Sequence, residues 1–313
     1  MKNPLRKRFF RELREEIGKY LVVFILMAAT IGFVSGFLVA DGSMLTAYNN
    51  SFQKYNIEDG KFETEEKIYK NQQEDIEKKG VTLYENFYVE KALLNGTTLR
   101  IFKNREEVNK VCLMKGKMPK EIGEIAIDRM YADNNKLSVG DTLKSGKKTW
   151  KITGLVALSD YSALFQNNND TMFDAVKFGA AVVTEEEFSS FNQSQLVYNY
   201  AWTYTHKPKT EAQEKKKSED FMEELSKDVT LEEFVPQYLN QAIHFTGDDM
   251  GGDRAMIIVL LYIVIAIMAF VFGITTSNTI RKEAGVIGTL RASGYTKNEL
   301  IRHYMFMPLL VTF

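Results

Sequence analysis

Few residues in this chain are of the types that do chemistry, and their spacing does not assemble them. The 313 residues contain three histidines, His206, His244 and His303, too far apart in sequence for a His-rich metal site. The single cysteine, Cys112, excludes an internal disulfide framework and a multi-cysteine zinc site, and its neighbours Val111 and Leu113 make it a small core residue. No Walker A, H-E-x-x-H or G-x-S-x-G pattern is present. The run Asn167-Asn168-Asn169-Asp170 has calcium-type ligands but lacks the EF-hand glycine and distal glutamate, so it reads as a polar loop. Residues 246–253 (TGDDMGGD) read as a flexible joint rather than a metal site. Tyr198, Tyr200, Trp202 and Tyr204 fall on one face of a strand, where packing is the default over a ligand platform. With no convergent acid, base or nucleophile, the chain reads as a non-enzyme that holds neither metal nor cofactor.

Two apolar segments set the class instead. Residues 20–40 (YLVVFILMAATIGFVSGFLVA) carry no charge and as a helix cover roughly 31 Å, enough for a bilayer core. Residues 255–280 are also uncharged and cover roughly 39 Å, enough to span with tilt. The first is longer than a signal peptide's apolar stretch and no clear A-x-A site follows it. The second is too long for a buried core helix. A third apolar run, residues 304–313, reads as the start of a further span. The chain is therefore expected to be the N-terminal part of a longer multi-pass protein of the bacterial cell membrane.

Charge orients the spans. Residues 1–19 hold Lys2, Arg6, Lys7, Arg8, Arg11, Arg14 and Lys19 against three acids. Residues 281–303 hold Arg281, Lys282, Arg291, Lys297 and Arg302 against Glu283 and Glu299. Residues 41–254 are left with a net charge of −8. Basic flanks stay in the cytoplasm, so 1–19 and 281–303 are placed inside and 41–254 outside. The overall charge of −1 offers nothing to nucleic acid.

The outside segment reads as an α+β domain, expected to have two lobes. Residues 42–56 continue the first span as a stalk. Residues 65–79 read as a helix stopped by Gly80. Asn95-Gly96 between apolar runs marks one hairpin, and residues 145–148 mark another. Residues 179–184 read as a buried strand, with Thr184 and Glu187 forming a capping box for the helix that follows. Residues 197–206 alternate as a strand, and 210–227 read as a helix.

The segment 281–303 has a distinct design. Ala284, Ile287, Leu290 and Arg291 recur at helical spacing, Gly288 lets another helix approach, and Gly294 is a stop. Thr296 and Glu299 form a second capping box. Such a helix–break–helix fits a lever on a partner's groove or a helix lying on lipid headgroups. On the first span, Ala28, Gly32 and Gly36 make a small-residue stripe suited to close packing, against a second copy or the later spans.

Several stretches resemble a known family. Lys115-Gly116-Lys117-Met118-Pro119, Gly123-Glu124-Ile125-Ala126-Ile127-Asp128, Leu137-Ser138-Val139-Gly140-Asp141-Thr142-Leu143 and Trp150-Lys151-Ile152-Thr153-Gly154-Leu155-Val156 resemble the extracytoplasmic core domain of MacB-type, FtsX-like ABC-transporter permeases. Residues 287–300 (IGTLRASGYTKNEL) resemble the FtsX-domain signature. Residues 197–250 show no such motif. The family's acidic residue before the I-G pair is here Val286, and Glu283 stands in for it near the same helix face. The resemblance implies membrane helices plus a MacB-like periplasmic core domain, and a permease subunit coupling ATP hydrolysis to motion of the outer domain. ATP would be bound by a separate cytoplasmic ABC ATPase, with Glu283, Ile287, Gly288, Leu290, Arg291 and Gly294 forming the contact and two permeases paired. The cargo would be a lipophilic, peptide or lipoprotein substrate. The alternative is a non-transporting scaffold that relays motion to a cell-wall hydrolase, an extracytoplasmic protein partner.

Overall fold

A computed structural model describes residues 4–312 of the chain. They fall into two compact units, one of residues up to Leu45 together with those from Met250 onward, the other Thr46–Asp249.

The first unit is helical. Helix α1 (Pro4–Lys54) and helix α6 (Gln241–Lys282) contribute the two apolar spans, and α7 (Ala284–Ala292) and α8 (Lys297–Thr312) follow. Only 11% of each apolar window is buried, whereas a soluble core helix would be mostly covered. Leu21, Val22, Phe24, Ile25, Val259, Tyr262 and Phe270 all face outward. Large apolar side chains around a helix's circumference need an apolar surrounding, which a bilayer provides. Tyr20, Val23 and Met27 of α1 pack with Val264, Met268, Val271 and Phe272 of α6.

The second unit is a mixed sheet with helices. After β1 (Gly60–Thr64) come α2 (Lys70–Glu77), β2 (Val81–Glu85), β3 (Tyr88–Ala92), β4 (Thr98–Lys103), β5 (Val111–Gly116), β6 (Glu124–Asp128) and α3 (Arg129–Asn134). Then follow β7 (Thr142–Ser145), β8 (Lys148–Leu158), β9 (Phe178–Val183), α4 (Glu185–Ser189), β10 (Leu196–Tyr204), α5 (Glu211–Leu225) and β11 (Leu231–Pro236). The strand order is β11-β1-β10-β3-β4-β9-β6-β8-β5, with β2 on β10 and β7 on β8. The strands form one connected sheet in which β10 pairs with β1 and β2 through residues 198–204 and with β3 through Leu196 and Val197. One apolar core runs along it, including Trp150, Trp202, Tyr131, Tyr200 and Phe62.

Local signals explain much of this. Gly96 has φ +83° in the β3–β4 turn and Gly146 φ +56° between β7 and β8, conformations that favour glycine. Tyr200 and Trp202 are core residues, as packing predicts. The helix expected over 65–79 begins only at Lys70, because β1 runs to Thr64 and a turn intervenes. Cys112 is not a core residue: it is half-buried on β5, an edge strand where Leu113 and Met114 are exposed.

Residues 246–253 are not a flexible joint. They lie inside α6, and Gly247 packs directly on Tyr48. The glycines are read as loop formers in isolation, but here one is the contact surface between two helices.

Candidate functional site

Two groups of residues stand out, one in each unit, and each is built from a few side chains. The first is the segment after α6. Glu283 (φ −94°, ψ 5°) interrupts the helix between Lys282 and Ala284, and its carboxylate accepts a hydrogen bond from the Tyr304 hydroxyl at 3.3 Å. Nine residues of α7 follow. The helix closes with a Schellman arrangement: Tyr295 N–H donates to Leu290 O at 3.1 Å and Gly294 N–H to Arg291 O at 3.1 Å. Gly294 sits at φ +95°, the left-handed position this closure requires. The Arg291 guanidinium donates to Tyr295 O at 3.3 Å, adding a cation to the negative end of the helix.

Helix α8 opens with the expected capping box. Thr296 N–H donates to the Glu299 carboxylate at 2.8 Å, and Glu299 N–H donates back to Thr296 Oγ1 at 3.3 Å. Each backbone N–H from Ser293 to Thr296, in the turn between α7 and α8, thus has a hydrogen-bond acceptor. Of the expected contact residues, Ile287 and Leu290 are half-buried, while Gly288, Arg291 and Gly294 are exposed. Nothing lies within 4 Å of a Cβ built on Gly288. The face around Val286, Gly288 and Thr289 is therefore open, shallow and largely uncharged.

Ala28, Gly32 and Gly36 are exposed, and nothing stands within 4 Å of a Cβ on either glycine. The α1–α6 seam does not use them; it runs along Tyr20, Val23 and Met27. The side chains of Lys2, Arg6, Lys7, Arg8 and Lys19 lie outside the described residues.

The second place is where the sheet unit receives its two long helices, and sequence reasoning missed it. Glu58, four residues beyond α1, is buried and makes hydrogen bonds in three directions. Its N–H donates to Asn109 Oδ1 at 2.9 Å, its carboxylate accepts from Asn109 Nδ2 at 2.6 Å, and Asn240 Nδ2 stands at 3.5 Å. Asn240 precedes α6 and its Oδ1 accepts from Ala242 N at 3.1 Å. Burial, then the Asp160 charge, raises the Glu58 carboxyl from 4.5 to about 7, against the pull of Asn109, Lys61 and Arg105. Asp160 itself holds Arg105 bidentately at 2.6 and 2.7 Å, both side chains buried. The run Asn167–Asp170 is a polar loop, as expected, and Asn168 Oδ1 accepts from Gln241 N at 3.0 Å, capping α6. The signal for all this is faint: polar residues spread over 180 positions meet only in the fold. Among the described residues no cluster could hold a metal ion.

One comparison with known proteins covers the first of these places. Residues 258–313 match the family described as FtsX-like permease C-terminal, which covers the end of α6, α7 and α8. The resemblance read in residues 287–300 therefore holds. No curated protein matches the chain. Among solved structures, the extracellular domain of the noncanonic ABC-type transporter YknZ from Gram-positive bacteria is similar at 11% identity and a TM-score of 0.33, covering 54% of this chain and 92% of that one. A permease-protein domain from Porphyromonas gingivalis is similar at 11% identity and a TM-score of 0.21, covering 50% and 69%.

Proposed function

We propose that this chain, whose residues 258–313 match the FtsX-like permease C-terminal family, is the membrane-spanning permease subunit of an ABC transporter. The observation that carries the reading is the coincidence of that match with a helix–turn–helix capped on both sides of its turn and open on one face. ATP is hydrolysed by a separate cytoplasmic subunit that grips α7. Gly288 admits its surface closely, Val286 and Thr289 flank the contact, and Ile287 and Leu290 anchor α7 from behind. Glu283 takes the positioning role through Tyr304, and Gly294 sets the angle at which α7 hands on to α8. The basic flanks support an orientation with α7 and the N-terminus inside and the sheet unit outside. Ala28, Gly32 and Gly36 remain open for a paired permease or for further spans of the assembly. Neither span carries a row of ionisable groups, so a hydrophilic route through them is disfavoured and the cargo is a lipophilic, peptide or lipoprotein substrate.

The test is to copurify the full-length protein with its ATPase and compare three proteins. Gly288→Trp fills the open face without disturbing the chain's own packing, and Leu290→Asp attacks the half-buried side. Loss of stimulated ATP hydrolysis in Gly288→Trp, with Tm unchanged, supports the assignment. Full stimulation in both variants overturns it. Stimulation without substrate movement, together with capture of a secreted hydrolase by the outer domain, would move the reading to the mechanotransmission scaffold.

A further inference from the structure

Beside the Glu58–Asn240 link the sheet unit has a small, partly open polar cavity of about 20 Å³. Glu58, Lys61, Asn86, Arg100, Asp160 and Asn199 contribute its polar walls. Asn199, on β10, is 2% exposed. Its Nδ2 is committed to Asn86 O at 3.1 Å, but its Oδ1 has no hydrogen-bond partner in the protein. A buried amide oxygen left unpaired costs about 1–3 kcal/mol, so native proteins rarely leave one. One donor inside the cavity would remove that cost.

We infer that this cavity is a binding site for a single water molecule that donates to Asn199 Oδ1 and bridges it to the Glu58 side of the cavity. The size fits: about 10–15 Å³ is what one water requires. The charge fits as well. Lys61 and Arg100 would repel a cation, while Glu58 and Asp160 would repel an anion, leaving a neutral molecule that both donates and accepts. Acceptors for its second proton are the carboxylates of Glu58 and Asp160, and Lys61 can donate to it. The water sits under the residues that follow α1 and precede α6, so it is part of what holds both helix roots to the sheet.

The experiment is a structure of the full chain at a resolution that shows ordered water, combined with hydrogen exchange. One density peak within hydrogen-bond distance of Asn199 Oδ1 is expected. An empty cavity, or a peak that refines as a metal ion or halide, overturns the site. Asn199→Leu removes the acceptor and fills the space with carbon. The peak should vanish, and exchange at residues 57–60 and 240–245 should accelerate about fivefold to tenfold. Retained density or unchanged exchange overturns the bridging role. Should the leucine variant not fold, Asn199→Ser keeps an acceptor and must keep the peak; a peak lost with that acceptor in place overturns the inference equally.

Discussion

Gly247 lies against the ring of Tyr48: a Cβ built on the glycine would stand 2.6 Å from Tyr48 Cε1. The same tyrosine's hydroxyl donates to Ile243 O at 3.0 Å, one turn earlier on α6. The residue is therefore glycine because a tyrosine needs its space, although it sits mid-helix where alanine would otherwise be favoured. Gly247→Ala is expected to destabilise by about 1–3 kcal/mol through overpacking, more than the ~1 kcal/mol that alanine returns in helix propensity. Gly251→Ala, where nothing lies within 4 Å, is expected to raise Tm. Thermal melts of the two variants in detergent check this; equal shifts would contradict the packing account.

Glu187 holds three elements together. Its carboxylate accepts from Trp150 Nε1 at 2.7 Å and Gly123 N at 3.0 Å, and pairs with Lys148 Nζ at 2.8 Å, with the side chain fully buried. Burial pushes its carboxyl up, but the bonds from Lys148, Trp150 and Gly123 outweigh this and hold it below the usual Glu range. A lowered folded value means stability present above the ordinary Glu range and lost as pH falls through it. Glu187→Ala leaves the Trp150 N–H buried and unpaired, at about 1–3 kcal/mol for that group alone. The check is Tm against pH: the acid-side loss should be smaller in Glu187→Gln than in the parent.

Glu58 behaves in the opposite sense. Its folded value of about 7 lies above the ordinary 4.5, so its contribution is full below 4.5 and is lost as pH rises through about 7. The groups facing it are Asp160, Arg105 and Lys61, with Asn109 and Asn240 bonded to it. Glu58→Gln removes the titration and should flatten the decline in Tm between those two pH values. A variant whose pH profile matches the parent would rule out Glu58 as the titrating group.

Gly294 carries the turn from α7 to α8 at φ +95°. Gly294→Ala forces a side chain into the left-handed region, at about 1–2 kcal/mol. The expected result is a modest fall in Tm with a larger fall in ATPase-stimulated activity, because the angle of α7 changes while its surface does not. Gly288→Ala, by contrast, should leave Tm as it is or raise it slightly. Activity in Gly294→Ala equal to the parent's would argue against a geometric role for Gly294.

Signals confined to a few neighbouring residues survived from sequence to structure. Asn95-Gly96, residues 145–148, Gly294 and the Thr296–Glu299 box work within one turn of chain, so their backbone consequences are decided locally. Thr184 caps α4 as its spacing predicts, since Glu187 N–H donates to its Oγ1 at 3.2 Å. The returning half of that box is absent, because the Glu187 carboxylate is taken by Trp150, Gly123 and Lys148. A side chain reaching three partners far off in sequence cannot be read from its neighbours.

What the order of residues determined alone is the division into apolar rods, an acidic body between them and a capped helical foot, because hydropathy and helix capping act over one segment at a time. The fold decided the rest. It turned the glycine-rich 246–253 into helix with Tyr48 set against Gly247, moved Cys112 to an edge, and gathered Glu58, Asp160, Asn199 and Asn240 around one cavity. Those outcomes depend on pairings across up to 182 positions, and the free energy that selects them exists only once the sheet has brought the partners together.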